Sequence, residues 1–333
     1  MTEKSPKPII LVTGGAGYIG SHMCKTLFKA GYHPVTFDNL SAGHVTSVKW
    51  GPLVKGDVRN VLDLERAFKT YAPEAVIHFA ARIEVGEGES NPFEFYDNNV
   101  VGTLTLLNTM KSFGVPKIVF SSTCATYGET QNMPLSEDEP QHPVSVYART
   151  KYTSEGLLDS YHKAHGLRFA ALRYFNAAGA DLDGEIGEQH DPETHLIPNA
   201  LKAAAGKGNP LKLFGTDYDT PDGTPLRDYI HVQDLANAHM LALKKLDEES
   251  ALKLNLGTGQ GSSVLDIINT IERVTGRKVP YDVAPRREGD VTRLYADVQK
   301  AKEVLEFTAQ HSSLENIIKT AWDFHAKQWG IKT

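Results

Sequence analysis

The sequence predicts an α/β fold: a doubly wound parallel sheet between helix layers, with a smaller C-terminal α/β region for ligand binding. Three observations predict it. Short apolar runs without polar alternation recur along the first half, the pattern of strands buried on both faces. Longer stretches of helical periodicity separate them in a βαβ rhythm. A glycine-rich turn, Thr13 to Gly20, joins the first strand to the first helix.

In chain order, Ile9–Val12 is the first strand, and Tyr18–Ala30 the first helix, stopped by Gly31. Pro34–Phe37 is the second strand, and Leu53-Val54 begins the third ahead of a helix over Val61–Tyr71. Ala75–Phe79, Lys117–Ser121 and Arg168–Leu172 supply further strands, with helices over Gly102–Phe113 and Val146–Ala164 between them. After Asn176 the rhythm breaks. Ala180–His195 is acidic and contains glycine, and Asp217–Asp228 is rich in Asp, Pro, Gly and Thr. Loops of this kind on the carboxyl side of such a sheet usually face a ligand, although surface insertions without function share their composition.

Composition narrows the class. The chain has 333 residues, 41% apolar and 23% charged, ordinary values for a soluble globular protein with a large core. A net charge of −6 argues against a general nucleic-acid or anionic-membrane binder. An anionic ligand must then be captured by a local cluster of Lys, Arg and backbone amides. Cys24 and Cys124 form no framework and have no metal-ligand spacing, which fits a reducing cytosol. The thirteen histidines are scattered, with no His-x-x-x-His pair, so no metal is expected. Met1–Lys7 is unlike a signal peptide, and no apolar run approaches the roughly 20 residues that cross a bilayer. A soluble, cytoplasmic protein is expected.

The turn contains Gly15-x-Gly17-x-x-Gly20 and also Gly14-x-x-Gly17-x-x-Gly20. Its early glycines permit close approach to a pyrophosphate, Gly20 lets helix and strand pack closely, and the helix N-terminus favours an anion. This is the Rossmann-type dinucleotide pattern. Asp38 ends the second strand about 20 residues beyond the glycines, where a carboxylate accepts hydrogen bonds from the adenosine ribose. That carboxylate would repel a 2′-phosphate, which predicts NAD over NADP; an ordinary turn aspartate in Asp38-Asn39 is the plainer alternative. Gly56-Asp57-Val58 follows the third strand, either flanking the adenine or forming a simple turn.

Tyr147 and Lys151 lie four residues apart in the helix from Val146, so they share a face. A positive charge nearby favours the phenolate and lowers a tyrosine from its unperturbed pKa of ~10, making a general base. Thr123, at the carboxyl edge of the strand from Lys117, offers a hydroxyl to relay a proton. It can equally be a strand terminator with local hydrogen bonds.

At these residues the chain resembles the extended short-chain dehydrogenase/reductase superfamily, and within it the UDP-glucose 4-epimerase family. The resemblance spans Val12 to Ala301. It is carried by Thr13–Gly20, Phe37–Leu40, Gly56-Asp57, His78–Ala81, Val85–Glu87, Asn98–Val100 and Ser121–Gly128. Tyr147–Lys151, Leu172–Asn176, Arg227–His231, Asn255–Gly257 and Pro285–Asp290 continue it.

It implies NAD-dependent, reversible epimerisation of UDP-glucose and UDP-galactose at C4 through a transient 4-keto sugar. Tyr147 would take the proton from the 4-hydroxyl with the help of Thr123, and Lys151 would hold the nicotinamide ribose. The implied NAD contacts are Gly14, Gly17, Tyr18, Ile19, Gly20, Asp38, Asn39, Leu40, Asp57 and Val58. Phe79, Ala80, Ala81, Asn98, Tyr174 and Phe175 complete them beside the catalytic residues. For the substrate, Asn176 would contact a phosphate, and His195, Leu196, Lys212, Leu213 and Phe214 would lie along the uridine. Arg227 and Arg287 would pair with the diphosphate, and Asp290 with the ribose. Residues 1–176, with part of 228–257, would form the NAD-binding domain, and 177–333 mainly the UDP-sugar region.

Three departures matter. Many members carry lysine in place of Ile83, and neighbouring Arg82 is the cation available to substitute. Thr123 replaces a serine of some members and keeps the hydroxyl. Leu294 stands where members restricted to UDP-glucose and UDP-galactose often place tyrosine, which leaves UDP-N-acetylhexosamine activity open. A 4,6-dehydratase would carry Asp-Glu straight after the threonine; here those positions are Cys124 and Ala125. A non-catalytic NAD-sensing protein typically loses the tyrosine or lysine, and this chain keeps both. The resemblance also suggests a homodimer through helices bearing Leu104, Leu107, Met110, Leu157, Leu158 and Tyr161; the sequence alone favours ordinary packing within the chain.

Overall fold

A computed structural model describes residues 7–130, 132–287 and 289–332; Glu288, within the Pro285–Asp290 motif, and most of the Met1–Lys7 stretch lie outside them. The chain forms two compact units, one of residues 1–128, 140–173 and 236–254, the other of 129–139, 174–235 and 255–333.

The first unit opens with strand β1 (Ile9–Thr13), helix α1 (Tyr18–Lys29), β2 (His33–Asp38) and β3 (Leu53–Lys55). Helix α2 (Val61–Tyr71) starts where the Asn60 side chain accepts from the Leu62 N–H. Strand β4 (Ala75–His78) leads to short helices α3 (Val85–Ser90) and α4 (Pro92–Phe95), then a π-helical turn over Tyr96–Val101 and α5 (Gly102–Phe113). Strand β5 (Lys117–Thr123) runs into a 3₁₀ turn at Cys124–Tyr127. Helix α6 (Val146–His165) is capped by the Ser145 hydroxyl and ended by left-handed Gly166, and β6 (Arg168–Tyr174) follows.

The second unit holds β7 (Asn176–Ala178), α7 (Leu196–Ala204), β8 (Leu211–Phe214), β9 (Leu226–Arg227) and β10 (Tyr229–His231). Helix α8 (Val232–Lys245) and strand β11 (Ala251–Leu256) pass mainly through the first unit. Then come β12 (Ser262–Ser263), α9 (Val264–Thr275, with a Ser263/Asp266 capping box), β13 (Tyr281–Ala284), β14 (Arg293–Leu294), α10 (Gln299–Leu305) and α11 (Leu314–Gln328).

The expected doubly wound sheet is present, with seven strands in the order β11-β6-β5-β4-β1-β2-β3. Its order reverses at β1, where β1 pairs in parallel with both β2 and β4, and a switch point of this kind is where such sheets bind ligands. The central strands are buried on both faces, which explains their unbroken apolar runs. Phe37, Phe68, Phe120 and Phe169 are the large rings of the first unit's core, each contributing about 1.5–3 kcal/mol by burial. A separate core around Leu201, Leu213, Ile267, Ile271 and Ile317 supports the second unit.

Leu107, Met110 and Leu158 belong to the first unit's own core, and Leu157 and Tyr161 pack against it. Of the residues named for a subunit contact, these five serve packing within the chain; only Leu104, 36% exposed, stands clear of it. Among the described residues no helix is long and apolar enough to cross a membrane.

Candidate active site

The glycine turn is built by close backbone approach. Gly14 N–H donates to Phe37 O at 2.9 Å, and Phe79 and Ala80 N–H both donate to Thr13 O, at 2.9 and 3.1 Å. A Cβ on Gly14 would lie 2.6 Å from Ala80 N, and one on Gly20 only 2.1 Å from Gly14 O. Gly17 caps α1 with no side-chain acceptor, so no cap competes for the first-turn N–H groups beside Tyr18 and Ile19. Asp38 is buried at the end of β2 and accepts from Ala16 N–H at 3.0 Å and Leu40 N–H at 2.8 Å. Asn39 donates to Asp57 at 3.0 Å, and Arg59 grips the same carboxylate at 2.8–2.9 Å, which holds Asp57 well below the usual carboxylate range. Val58 is buried against Gly102.

The catalytic candidates follow on β5 and α6. Thr123 Oγ1 accepts from Ala125 N–H at 3.2 Å, which holds the hydroxyl at the strand edge and leaves its own proton to donate. Tyr147 is half-buried in the first turn of α6. Lys151, one turn on, is fully buried; its Nζ donates to Ser121 O at 2.7 Å and lies 4.9 Å from the Phe120 ring centroid. Burial lowers its pKa to about 7, against a raising influence from Glu155. The four-residue spacing predicts a lysine charge that favours the Tyr147 phenolate. In the protein Lys151 is a lysine near its own titration point.

Two supporting networks hold these residues in place. Asn99, in the π-helical turn, accepts from Arg82 N–H at 2.8 Å and donates to Arg82 O and to Thr150 Oγ1, both at 3.0 Å. Thr150 in turn donates to Tyr147 O at 2.7 Å, so Asn99 braces the start of α6. Neighbouring Asn98 donates to Asn99 Oδ1 at 3.0 Å. The other network is ionic. Buried Glu155, four residues beyond Lys151, accepts from Ser122 Oγ at 2.5 Å and from Nε and Nη2 along one edge of the buried Arg173 guanidinium at 3.0 and 2.6 Å. Arg173 also donates to Tyr127 OH at 2.8 Å. The repeat Tyr147, Lys151, Glu155 at four-residue steps was the signal available in the sequence for this face.

Arg82, the cation beside Ile83, is engaged by two carboxylates. Its guanidinium pairs with Glu87 at 2.9 Å and Glu94 at 3.4 Å, and Ile83 is exposed.

In the second unit the diphosphate candidates sit on small paired strands. Arg227, on β9, bonds closely to Asp290 and also donates to Leu226 O at 2.8 Å. The Arg287 guanidinium lies 3.9 Å over the Phe214 ring, and Leu294 on β14 is the register partner of Arg227. Asn176 donates its N–H and its side-chain amide to Asp228 O, at 3.0 and 2.9 Å. Asp228, inside the Arg227–His231 motif but given no role by the sequence, organises this region: fully buried, it accepts from Thr258, Gly259 and Ala296 N–H at 2.9–3.2 Å. Burial nevertheless pushes its pKa up. A Cβ on Gly257 would lie 2.4 Å from Asp228 Oδ2, which explains the Asn255-Leu-Gly257 motif.

Strand β8 separates its three named residues. Leu213 packs into the core and Lys212 faces solvent, paired with Asp282 at 3.2 Å, while Phe214 lies beneath the Arg287 guanidinium. Leu196 opens α7, and His195 precedes it with its N–H on Glu193 at 2.9 Å. His190 and His195 sit against Glu188 and Glu193; burial opposes their charged forms, but the carboxylates win and hold His190 at about 10 and His195 above the ordinary imidazole value. Tyr174 ends β6, and Phe175 is buried with its N–H on Leu256 O at 3.3 Å.

Comparison with known proteins decides the family. Residues 10–257 match the NAD dependent epimerase/dehydratase family. The chain belongs to that family. It is similar to UDP-glucose 4-epimerases of Rhizobium leguminosarum (51% identical, 96% of this chain and 97% of that protein) and Halalkalibacterium halodurans (46%, 95% of each). Among solved structures it resembles the UDP-glucose 4-epimerase of Brucella ovis in complex with NAD, at 50% identity and a TM-score of 0.94 over 98% of this chain and 99% of that one.

The NAD dependent epimerase/dehydratase assignment agrees with the site. Close backbone packing leaves no room for a side chain on Gly14 or Gly20, which keeps the turn tight at the start of α1, and a buried carboxylate stands at the end of β2, so these residues fit a dinucleotide.

Proposed function

We propose that the protein is a UDP-glucose 4-epimerase, interconverting UDP-glucose and UDP-galactose at C4 with NAD. The observation that carries this reading is the end of β5. Thr123 presents a hydroxyl there, and the next residues, Cys124 and Ala125, have no carboxylate to eliminate water. Within an epimerase/dehydratase family, that leaves epimerisation.

Gly14, Gly17, Gly20 and Asp38 would hold NAD, with Asp57 and Asn98 along it; bound there, it would supply the reversible hydride exchange with C4 that epimerisation through a 4-keto sugar needs. Tyr147 takes the proton of the 4-hydroxyl, and Thr123 hands it across. Lys151 places a second proton-binding group one turn further along α6. The same tyrosine returns the proton at the end, so no group is consumed.

The second unit is the UDP-binding part in this reading. Arg227 and Arg287 supply planar forks for the diphosphate, Asn176 an amide, and Asp290 an acceptor for the ribose. Phe214 keeps its ring beside Arg287, and backbone groups of Lys212 and Leu213, with His195 and Leu196, complete the uridine side. Leu294, in register with Arg227, favours additional turnover of UDP-N-acetylhexosamines, because leucine is smaller than tyrosine. A cytoplasmic homodimer through the surface around α5 and α6, where Val101, Leu104 and Tyr152 are exposed, belongs to the same reading; light scattering of the purified protein tests the dimer.

The deciding experiment incubates purified protein with UDP-galactose and no added NAD. Formation of UDP-glucose is expected. Protein shown to contain NAD that forms none defeats the proposal.

A further inference from the structure

We propose that Glu188, His190, Glu193 and His195 form a structural site for a divalent transition-metal ion with the ligand preference of zinc. The four residues lie in the segment between β7 and α7, within one unit. One ligand atom from each lies within 4.8 Å of every other.

The spacing is that of a coordination shell. A tetrahedral ion with nitrogen and oxygen ligands at about 2.0–2.2 Å separates those ligands by roughly 3.4 Å. Here His195 Nδ1 lies 2.9 Å from Glu193 and 3.1 Å from Glu188, and His190 Nδ1 lies 3.3 Å from Glu188 and 3.8 Å from Glu193. The same nitrogen of each ring faces both carboxylates, and the rings stand 4.8 Å apart, tilted 42°. Each carboxylate therefore reaches both rings, as ligands around one ion do.

Burial supplies the second argument. The Glu188 and Glu193 side chains are only 6% and 3% exposed. Two carboxylates placed side by side away from water need positive charge close by. Among the described residues their ion-pair partners are the two imidazoles, with no lysine or arginine. A divalent ion would take the place of the imidazolium protons and neutralise both carboxylates. Two imidazoles and two carboxylates suit zinc far better than magnesium, which prefers oxygen and keeps its waters. Four protein ligands also close the shell, which marks a structural ion rather than a catalytic one. The ion would pin the residue preceding α7, since His195 is both a ligand and the N-cap of that helix. The proposal shares His195 with the uridine side of the epimerase reading, and its test reads metal binding apart from turnover.

The test titrates chelator-treated, full-length protein with zinc chloride by calorimetry, with magnesium chloride as the control. One zinc per chain and no magnesium uptake are expected. In Glu188→Gln/His190→Gln, checked for folding by circular dichroism, affinity should fall by more than the roughly 10–100-fold lost when only a supporting hydrogen bond to a ligand is removed. Zinc uptake unchanged in that variant, no zinc bound by the folded parent, or equal magnesium binding overturns the proposal. Should the variant not fold, the cobalt-loaded parent decides: intense visible bands of tetrahedral Co²⁺ support the site, and a weak octahedral spectrum refutes it.

Discussion

Lys151 Nζ donates a hydrogen bond to Ser121 O at 2.7 Å, so helix α6 and the strand carrying Thr123 are tied together at a buried amine. The same burial lowers the lysine to about 7 from 10.5. Between those values the unfolded chain holds a proton that the folded chain does not, so stability rises with pH across that window. The lysine's penalty is in full force below about pH 7 and is relieved toward pH 10.5. In NAD-stripped protein, Lys151→Met should therefore stabilise most at neutral pH and progressively less as pH rises. Thermal melts of both proteins at several pH values check this; a difference independent of pH refutes it.

Glu155 and Arg173 form a buried ion pair that also holds Ser122, next to Thr123. Glu155→Gln leaves Arg173 without a counter-charge and should cost about 3–5 kcal/mol. Glu155→Leu with Arg173→Met removes both charges and should recover most of that loss. Urea denaturation of the two variants is the measurement, and equal losses in both contradict the argument.

Tyr147→Phe keeps the ring and removes the proton acceptor. The expected result is a fall in kcat of about 10²–10⁴-fold with unchanged UDP binding. Thr123→Val should also slow turnover, whereas Thr123→Ser should stay close to the parent. Steady-state rates with UDP-galactose, alongside UDP titrations, separate chemistry from binding; a Tyr147→Phe enzyme of near-parental kcat excludes the tyrosine as base.

Gly20→Ala places a methyl group 2.1 Å from Gly14 O, so the turn and α1 must move apart. Purified Gly20→Ala should retain much less NAD than the parent. Absorbance of the acid-released nucleotide reports the ratio, and full occupancy in the variant would show that the cradle does not hold the cofactor.

Leu294→Tyr adds bulk beside Arg227. Turnover of UDP-N-acetylglucosamine should drop while that of UDP-glucose is retained. If the parent shows no activity on the N-acetyl sugar even at high enzyme concentration, the broader specificity is wrong.

The strands and helices of the first unit were legible because local and tertiary demands agree there. An unbroken apolar run such as Ile10–Val12 is useful only in a strand covered on both faces, and Gly14 and Gly20 are required by backbone approaches that any side chain would block. The motif Leu172–Asn176 was visible, but not that Arg173 turns inward to meet Glu155, since two residues 18 apart share a bond only once β5, α6 and β6 are assembled. Nor could spacing tell that Leu213 belongs to a core and Lys212 to solvent.

The histidines make the same point. Judged by helical spacing, His190 and His195 are unrelated, yet an irregular segment folds both against Glu188 and Glu193. By itself, then, the sequence determined the parallel sheet, the dinucleotide turn, and the order of the Thr123, Tyr147 and Lys151 motifs, because each is a local pattern with one stable local solution. Only the tertiary structure decided the protonation balance of Lys151, the company of Glu155 and Asp228, and the gathering of Glu188 with two imidazoles. Charge and burial depend on neighbours distant in the chain, and no periodicity encodes them.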